Sequence, residues 1–181
     1  DGGVLALARA SLLDHCRHTG NYAGHIDAHV PGYRGAEQYD GSLLAVSDGP
    51  TITASTVWTF LYVLTDSGSN FCDYPSLGID VNALYFGCDM FSSAGSFVGT
   101  TAFVVQKTSA LGGGPLVATK FTTQTGSGAG PFAPRGVDNL DPNATFGYFV
   151  GADNASYSRI DFRIVSNPGS TTPTLSSNLQ V

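Results

Sequence analysis

Along residues 71–91, FCDYPSLGIDVNALYFGCDMF, apolar and polar positions alternate with a period of two. Leu84, Phe86 and Cys88 interleave with Tyr85, Gly87 and Asp89, the pattern of a pleated strand with two different faces. Residues 75–80 read as a short strand before it, and Val81-Asn82 sits at the polar step between the two. The stretch therefore predicts a hairpin. A relative of it recurs at residues 132–154, FAPRGVDNLDPNATFGYFVGADN. Pro75, Gly78, Asp80, Tyr85-Phe86 and Gly87 find counterparts in Pro134, Gly136, Asp138, Tyr148-Phe149 and Gly151, with a longer turn at 139–143. A repeat near this spacing belongs to arrays of small four-stranded units.

The same patterning predicts strands at 42–47, 56–65, 100–108, 116–124, 135–139, 145–152, 158–166 and 172–181. Breaks rich in Gly and Pro fall at 48–50, 112–115 and 126–130. Phe86, Phe103, Val105, Tyr148, Ile160, Phe162 and Ile164 lie on the apolar faces of these strands and are the expected core, with Asp161 and Arg163 on the opposite side of theirs. Leu5, Ala8, Leu12 and Leu13 have helical spacing, so residues 5–15 read as a helix, with a strand pair equally compatible; 18–40 reads as loop. The chain divides into an irregular segment with a first partial unit at 1–70, a second unit at 71–125 and a third at 126–181. Four short antiparallel strands per repeat make the blade of a β-propeller. The predicted fold is all-β, antiparallel four-stranded blades of a partial β-propeller, with a β-sandwich of the same strands as the alternative. Because closure takes about 4–8 blades, three leave exposed edges, and the expected partners are further chain segments or copies that complete the ring.

Composition supports a packed all-β chain. Of 181 residues 42% are hydrophobic and only 12% are charged, a share taken over by turn-forming Gly, Ser, Thr and Asn. The net charge of −6 and the absence of any basic run make nucleic acid and anionic membrane poor partners, since both need clustered positive charge. No apolar run is long enough to span a bilayer. A surface poor in Lys and Glu points to an extracellular or cell-surface location. The chain opens on Asp1 without a signal-peptide pattern, as a processed or partial chain would.

Three cysteines are present, Cys16, Cys72 and Cys88. Cys72 and Cys88 flank the hairpin and are the favoured disulfide pair in an oxidising compartment; three buried free thiols are the alternative. All four histidines, His15, His18, His25 and His29, crowd together with Cys16, Asp14 and Asp27. Imidazole, thiolate and carboxylate are ligands of zinc or copper, so His15, His18, His25, Asp27 and His29 form a candidate metal set, although their spacing fits no named zinc motif. A solvated His-rich loop is the structural reading of the same residues.

The segments DYPSLGID (73–80), NALYFGCDMF (82–91), GVDN (136–139) and ATFGYFVGADNAS (144–156) resemble repeats of large secreted bacterial proteins with a sialidase-like β-propeller fold, and TVWTFLYVLTDSGSNFCDYPSLGID is similar in the same way. The likeness covers residues 42–181. It implies architecture and is almost silent on activity. Sialidases resemble one another in an arginine triad, a Tyr/Glu nucleophile pair, an acid/base Asp and S-x-D-x-G-x-x-W turns. Here Arg9, Arg17, Arg34, Arg135, Arg159 and Arg163 are available, but Glu37 is the sole glutamate and Ser47-Asp48-Gly49 is a poor fragment of such a turn. An ordinary glycosidase needs two carboxylates, for which Asp73, Asp80 and Asp138 are candidates at equivalent blade positions. The same aspartates are expected, more simply, to take turn hydrogen bonds near the propeller axis, with a shared Ca²⁺ as the lesser alternative. Asn143-Ala144-Thr145 and Asn154-Ala155-Ser156 satisfy the N-glycosylation pattern. Trp58 and the tyrosines read as packing rather than a sugar platform. The expected function is a non-catalytic extracellular segment for surface display, adhesion or assembly. A glycan-acting hydrolase of sialidase-like type and a self-assembling subunit of a ring or filament are the alternatives.

Overall fold

The computed structural model describes residues 40–66, 70–112 and 115–181. The helix expected at 5–15 and almost all of the loop expected at 18–40 lie outside the described residues. Among the described residues eleven strands form three antiparallel sheets, with one short helix beside them. Strands β1 (Asp40–Ser47) and β2 (Trp58–Asp66) pair with each other. Strands β3 (Asn70–Ile79), β4 (Ala83–Ser92), β5 (Phe97–Gln106) and β6 (Ala118–Thr125) form a four-stranded meander in chain order. Strands β7 (Pro131–Gly136), β8 (Phe146–Asp153), β9 (Ile160–Ser166) and β10 (Thr174–Leu175) form a second meander, and β11 (Leu179–Gln180) also pairs with β9.

Both hairpins begin earlier than their alternation indicates, for the same physical reason. Tyr74 and Ala133 have φ of 51° and 45°. Each precedes a proline, and at each the pairing register shifts, between Asp73 and Ser76 in β3 and between Phe132 and Arg135 in β7. Proline cannot donate to a ladder and is tolerated in a strand at a bulge. The bulge carries the strand past Pro75 and Pro134, so pairing extends back to Asn70 and Pro131. The two matched sites thus share an unusual backbone conformation and a register shift. The alignment of the two stretches needs correction: Ser76 pairs with Gly87 and its counterpart Arg135 with Val150, while Leu77 pairs with Phe86 as Gly136 does with Phe149, so Val150, not Gly151, stands at the position of Gly87, Gly136 at that of Leu77, and Asp138 at that of Ile79 rather than Asp80. Tyr85-Phe86 still match Tyr148-Phe149.

The β3–β6 sheet is the middle of three layers. Leu84, Phe86, Cys88, Met90, Phe103 and Val105 face Leu44 and Val63 of the β1–β2 pair and Ala110 of the helix α1 (Lys107–Leu111). Ala83, Tyr85, Ala102 and Val104 face Phe149 and Val165 of the last sheet. Every residue from Ala83 to Met90 is buried because both faces of β4 are covered. The five-residue helix, where a strand was expected to run to 108, is too short to leave a periodic signal.

Glycines let the middle and last sheets approach backbone to backbone. A Cβ on Gly87 would meet the Pro134 carbonyl oxygen, one on Gly136 the Tyr85 carbonyl oxygen, and one on Gly147 the Tyr85 ring, all closer than the 3.0 Å that real Cβ atoms observe. Cys72 and Cys88 are joined in a disulfide from β3 to β4, with Cα atoms 5.2 Å apart.

The expected core needs correction in the last sheet. Phe86, Phe103 and Val105 are buried, but Tyr148, Phe162 and Ile164 are only half-buried and Ile160 is 47% exposed. Gly147 must lie against the Tyr85 ring, and Phe149 follows it to the same side, so β8 and β9 turn Phe149, Asp161 and Val165 inward. Asp161, expected on the polar side, is fully buried.

Candidate functional site

The turns of the two hairpins meet at one end of the sheet stack. Asp80 caps its own turn: its Oδ1 accepts from the Asn82 N–H at 2.6 Å and the Ala83 N–H at 2.8 Å. The Tyr85 hydroxyl donates to Oδ2 at 2.6 Å, and Lys107 Nζ donates to the Asp80 carbonyl at 2.8 Å. Burial, and then the Asp80 carboxylate, push the Tyr85 hydroxyl pKa far up, so it stays a donor. Asp138 behaves differently. Instead of its own turn it caps the preceding unit, accepting from the Ile79 N–H at 2.9 Å, while the Asn139 N–H donates to the Ile79 carbonyl at 2.9 Å. Asn82 Nδ2 completes the link by donating to the Ala144 carbonyl at 2.7 Å. The longer second turn is a string of side-chain caps, Asn139 to the Asp141 N–H and Asp141 to the Asn143 N–H. Asp80 and Asp138 thus flank Ile79, and both are engaged by backbone N–H groups.

A second set of carboxyls, which the sequence reading passed over, lies between the sheets. Asp89 is 2% exposed, and its Oδ1 accepts from the Ala133 N–H of the β7 bulge at 2.8 Å. Burial raises its pKa, the Ala133 bond opposes this, and the charge of Asp73, its cross-strand partner, adds to the rise. Asp161, with no exposure, has no well-aligned N–H or O–H donor on either oxygen and is flanked by Asp153, Gln180 and Arg163. Burial, then the adjoining Asp153 carboxylate, raise the Asp161 pKa. For Asp153 the effect of burial is outweighed by donation from the Ala155 N–H, the Asp161 carboxyl and the Ser156 and Gly130 N–H groups, and its pKa is lowered. The two carboxyls are thus shifted in opposite directions, Asp161 up and Asp153 down. Their signal in the sequence was position: each stands within a strand between two apolar residues, Asp89 between Cys88 and Met90 and Asp161 between Ile160 and Phe162.

The remaining predicted residues do not converge. Asp73 Oδ1 accepts from the N–H of Tyr74 next to it. Arg135 is exposed on the outer side of the last sheet, paired with Val150, whereas Arg163 lies on the inner side, donating to Asn178 and to the Thr123 carbonyl. Arg159 donates to Gln180 Oε1. His15, His18, His25, Asp27, His29, Cys16, Glu37, Arg9, Arg17 and Arg34 lie outside the described residues. Among the described residues no group of three or more His, Cys, Asp or Glu side chains comes together as a metal site. Asn143 and Asn154 are both exposed, and Trp58 is half-buried. Among the described residues no helix is long and apolar enough to cross a membrane. No family model, curated protein or solved structure matches the chain.

Proposed function

We propose that this chain is a scaffold: a segment of an extracellular β-propeller that serves surface display, adhesion or assembly rather than catalysis. The observation that carries the reading is the repeated unit, two meanders with the same proline-linked bulge, stacked face to face with both hairpin turns at one end. Successive blades of a propeller pack in this way, with equivalent turns at equivalent distances from the axis. Asp80 and Asp138, the carboxylates best placed for glycan chemistry, serve instead to cap a turn and to tie one unit to the next. The disulfide between Cys72 and Cys88 favours an oxidising compartment and so an extracellular location.

Electron microscopy of the native protein tests this directly. The expected image is a ring of radially arranged sheets with the turns at 80–82 and 138–144 on the inner rim. A linear or two-layered particle without a central channel would refute the propeller, and release of reducing sugar that is lost in Asp80→Asn or Asp138→Asn would refute the non-catalytic role.

A further inference from the structure

We propose that the inner face of the last sheet holds a divalent cation, Ca²⁺, between the carboxylates of Asp153 and Asp161. Such a site is independent of the propeller reading, since it follows from a buried surplus of acceptor oxygens where the middle and last sheets meet.

Strand register brings the two acids together. Asp161 stands opposite Gly151 of β8 on one side and Gln180 of β11 on the other. Asp153 follows two residues after Gly151 on the same face of β8, so it is diagonal to Asp161, and each carboxyl bears on the pKa of the other. Neither is open to water, with Asp161 0% and Asp153 7% exposed. Gly151 places no side chain between them, and the Phe132 carbonyl oxygen lies 2.7 Å from where its Cβ would stand, which adds a main-chain oxygen beside that glycine. The middle sheet contributes Gln124, 4% exposed. A Cβ on Gly130 would lie 3.1 Å from the Gln124 Cβ, and Gly130 is the residue whose N–H donates to Asp153.

Acceptors outnumber donors in this layer. Both Asp161 oxygens and Gln124 Oε1 are buried without a hydrogen-bond partner. The donors around them are committed elsewhere: Arg163 gives Nε to Asn178 and an Nη to the Thr123 carbonyl, Gln124 Nε2 goes to the Gly126 carbonyl, and Gln180 Nε2 goes to Asp153. The Thr100 and Thr123 hydroxyls bond each other, and Thr100 also donates to the Pro131 carbonyl. A buried carboxylate without a donor is strongly unfavourable, and a second carboxylate beside it adds repulsion. A water molecule could donate to Asp161 but would leave the two like charges together, whereas a cation offsets both. The donor set is oxygen alone, without thiolate or imidazole, which selects a hard ion over zinc or copper. Carboxyl and carbonyl oxygens in an irregular arrangement suit Ca²⁺, which tolerates flexible geometry, better than Mg²⁺, which demands an octahedron and keeps its waters. The Arg163 guanidinium beside Asp161 opposes any cation, so the affinity belongs with that of extracellular modules, about 0.1–1 mM.

The test uses the full oxidised chain, stripped of metal with EDTA and dialysed, then titrated with CaCl₂ by calorimetry and followed in parallel by thermal melting. The wild type is expected to bind one Ca²⁺ per chain and to melt at a rising temperature as Ca²⁺ is added, because the ion binds the folded state. Asp161→Asn keeps the shape of the side chain and removes one of the two charges, so it should fold without metal while losing both the heat of binding and the response of the melting temperature. Asp153→Asn should weaken both, and decides the matter if Asp161→Asn does not fold. Asp141→Asn, in the exposed second turn, should bind as the wild type does. A wild type whose melting temperature is unmoved by excess millimolar Ca²⁺ overturns the site, as does Asp161→Asn or Asp153→Asn binding as tightly as the wild type, or binding that is lost in Asp141→Asn. An equal rise with the same concentration of MgCl₂ overturns the assignment to Ca²⁺. None of these outcomes bears on whether the sheets surround a channel, which the microscopy decides separately.

Discussion

Gly87→Ala is the most demanding probe of the layered architecture, because a single methyl group is placed where two backbones touch. A Cβ at this position would lie 2.7 Å from Pro134 Cγ and 2.8 Å from the Pro134 carbonyl carbon, with the carbonyl oxygen closer still. Ordinary contact begins at 3.4 Å, so β7 would have to lift from β4 by at least about 0.6 Å, and by more to clear the oxygen. Retreat is blocked because the obstacle is main chain on both sides. The displaced strand also carries the Ala133 N–H that satisfies buried Asp89, and lies beside the Tyr85–Phe149 edge contact at 5.8 Å. Overpacking of this kind costs about 1–3 kcal/mol and sometimes more. The alanine gains roughly 0.4–1 kcal/mol by stiffening the unfolded chain. A net loss of about 2 kcal/mol is expected, an unfolding constant raised roughly thirtyfold, read from urea titration of the oxidised protein. Gly49→Ala, where nothing lies within 4 Å, is the control and should be neutral or slightly stabilising. Pro134→Ala should fail to rescue Gly87→Ala, since the nearest atom is backbone. A Gly87→Ala protein as stable as the wild type would mean that the middle and last sheets do not meet here.

Phe103 is 1% exposed and stacks on Phe86 with ring centroids 4.6 Å apart. Phe103→Ala should cost roughly 3–5 kcal/mol in the same titration, and an unchanged melting temperature would refute its place in the core. The Asp153–Asp161 pair should make stability depend on pH. The raised Asp161 pKa contributes stability that is fully present below the unfolded carboxylate value near 3.9 and is lost as pH rises through the folded value. Asp161→Asn cannot ionise and its amide can donate to Asp153, so it should gain on the wild type by up to about 1.4 kcal/mol per pH unit above that value. Parallel stability curves for the two proteins would refute the raised Asp161 pKa.

Strand positions and hairpin partners were legible because they depend on local features. Alternation over 83–91 and 145–152, the breaks at 48–50 and 126–130, and the recurring Pro-Gly-Asp pattern each act within a few residues, and they predicted the meanders. Cys72 and Cys88 could be paired for the same reason, since both belong to one hairpin. The bulges were not legible: Tyr74 and Ala133 adopt positive φ only because pairing continues on both sides of the following proline. Alternation also defines two faces without stating which of them a neighbour will cover. In β4 both are covered, and in β9 the covered one is that of Asp161 and Val165, leaving Ile160, Phe162 and Ile164 outward. That choice was made by the steric fit of Gly147 against Tyr85 and of Pro134 against Gly87, contacts between residues some fifty to sixty positions apart. The sequence by itself determined the strands and their local pairing, through periodicity and turn chemistry. Which side of each sheet became core, and so which carboxyls were buried and which apolar face was left open, was decided only when the layers met.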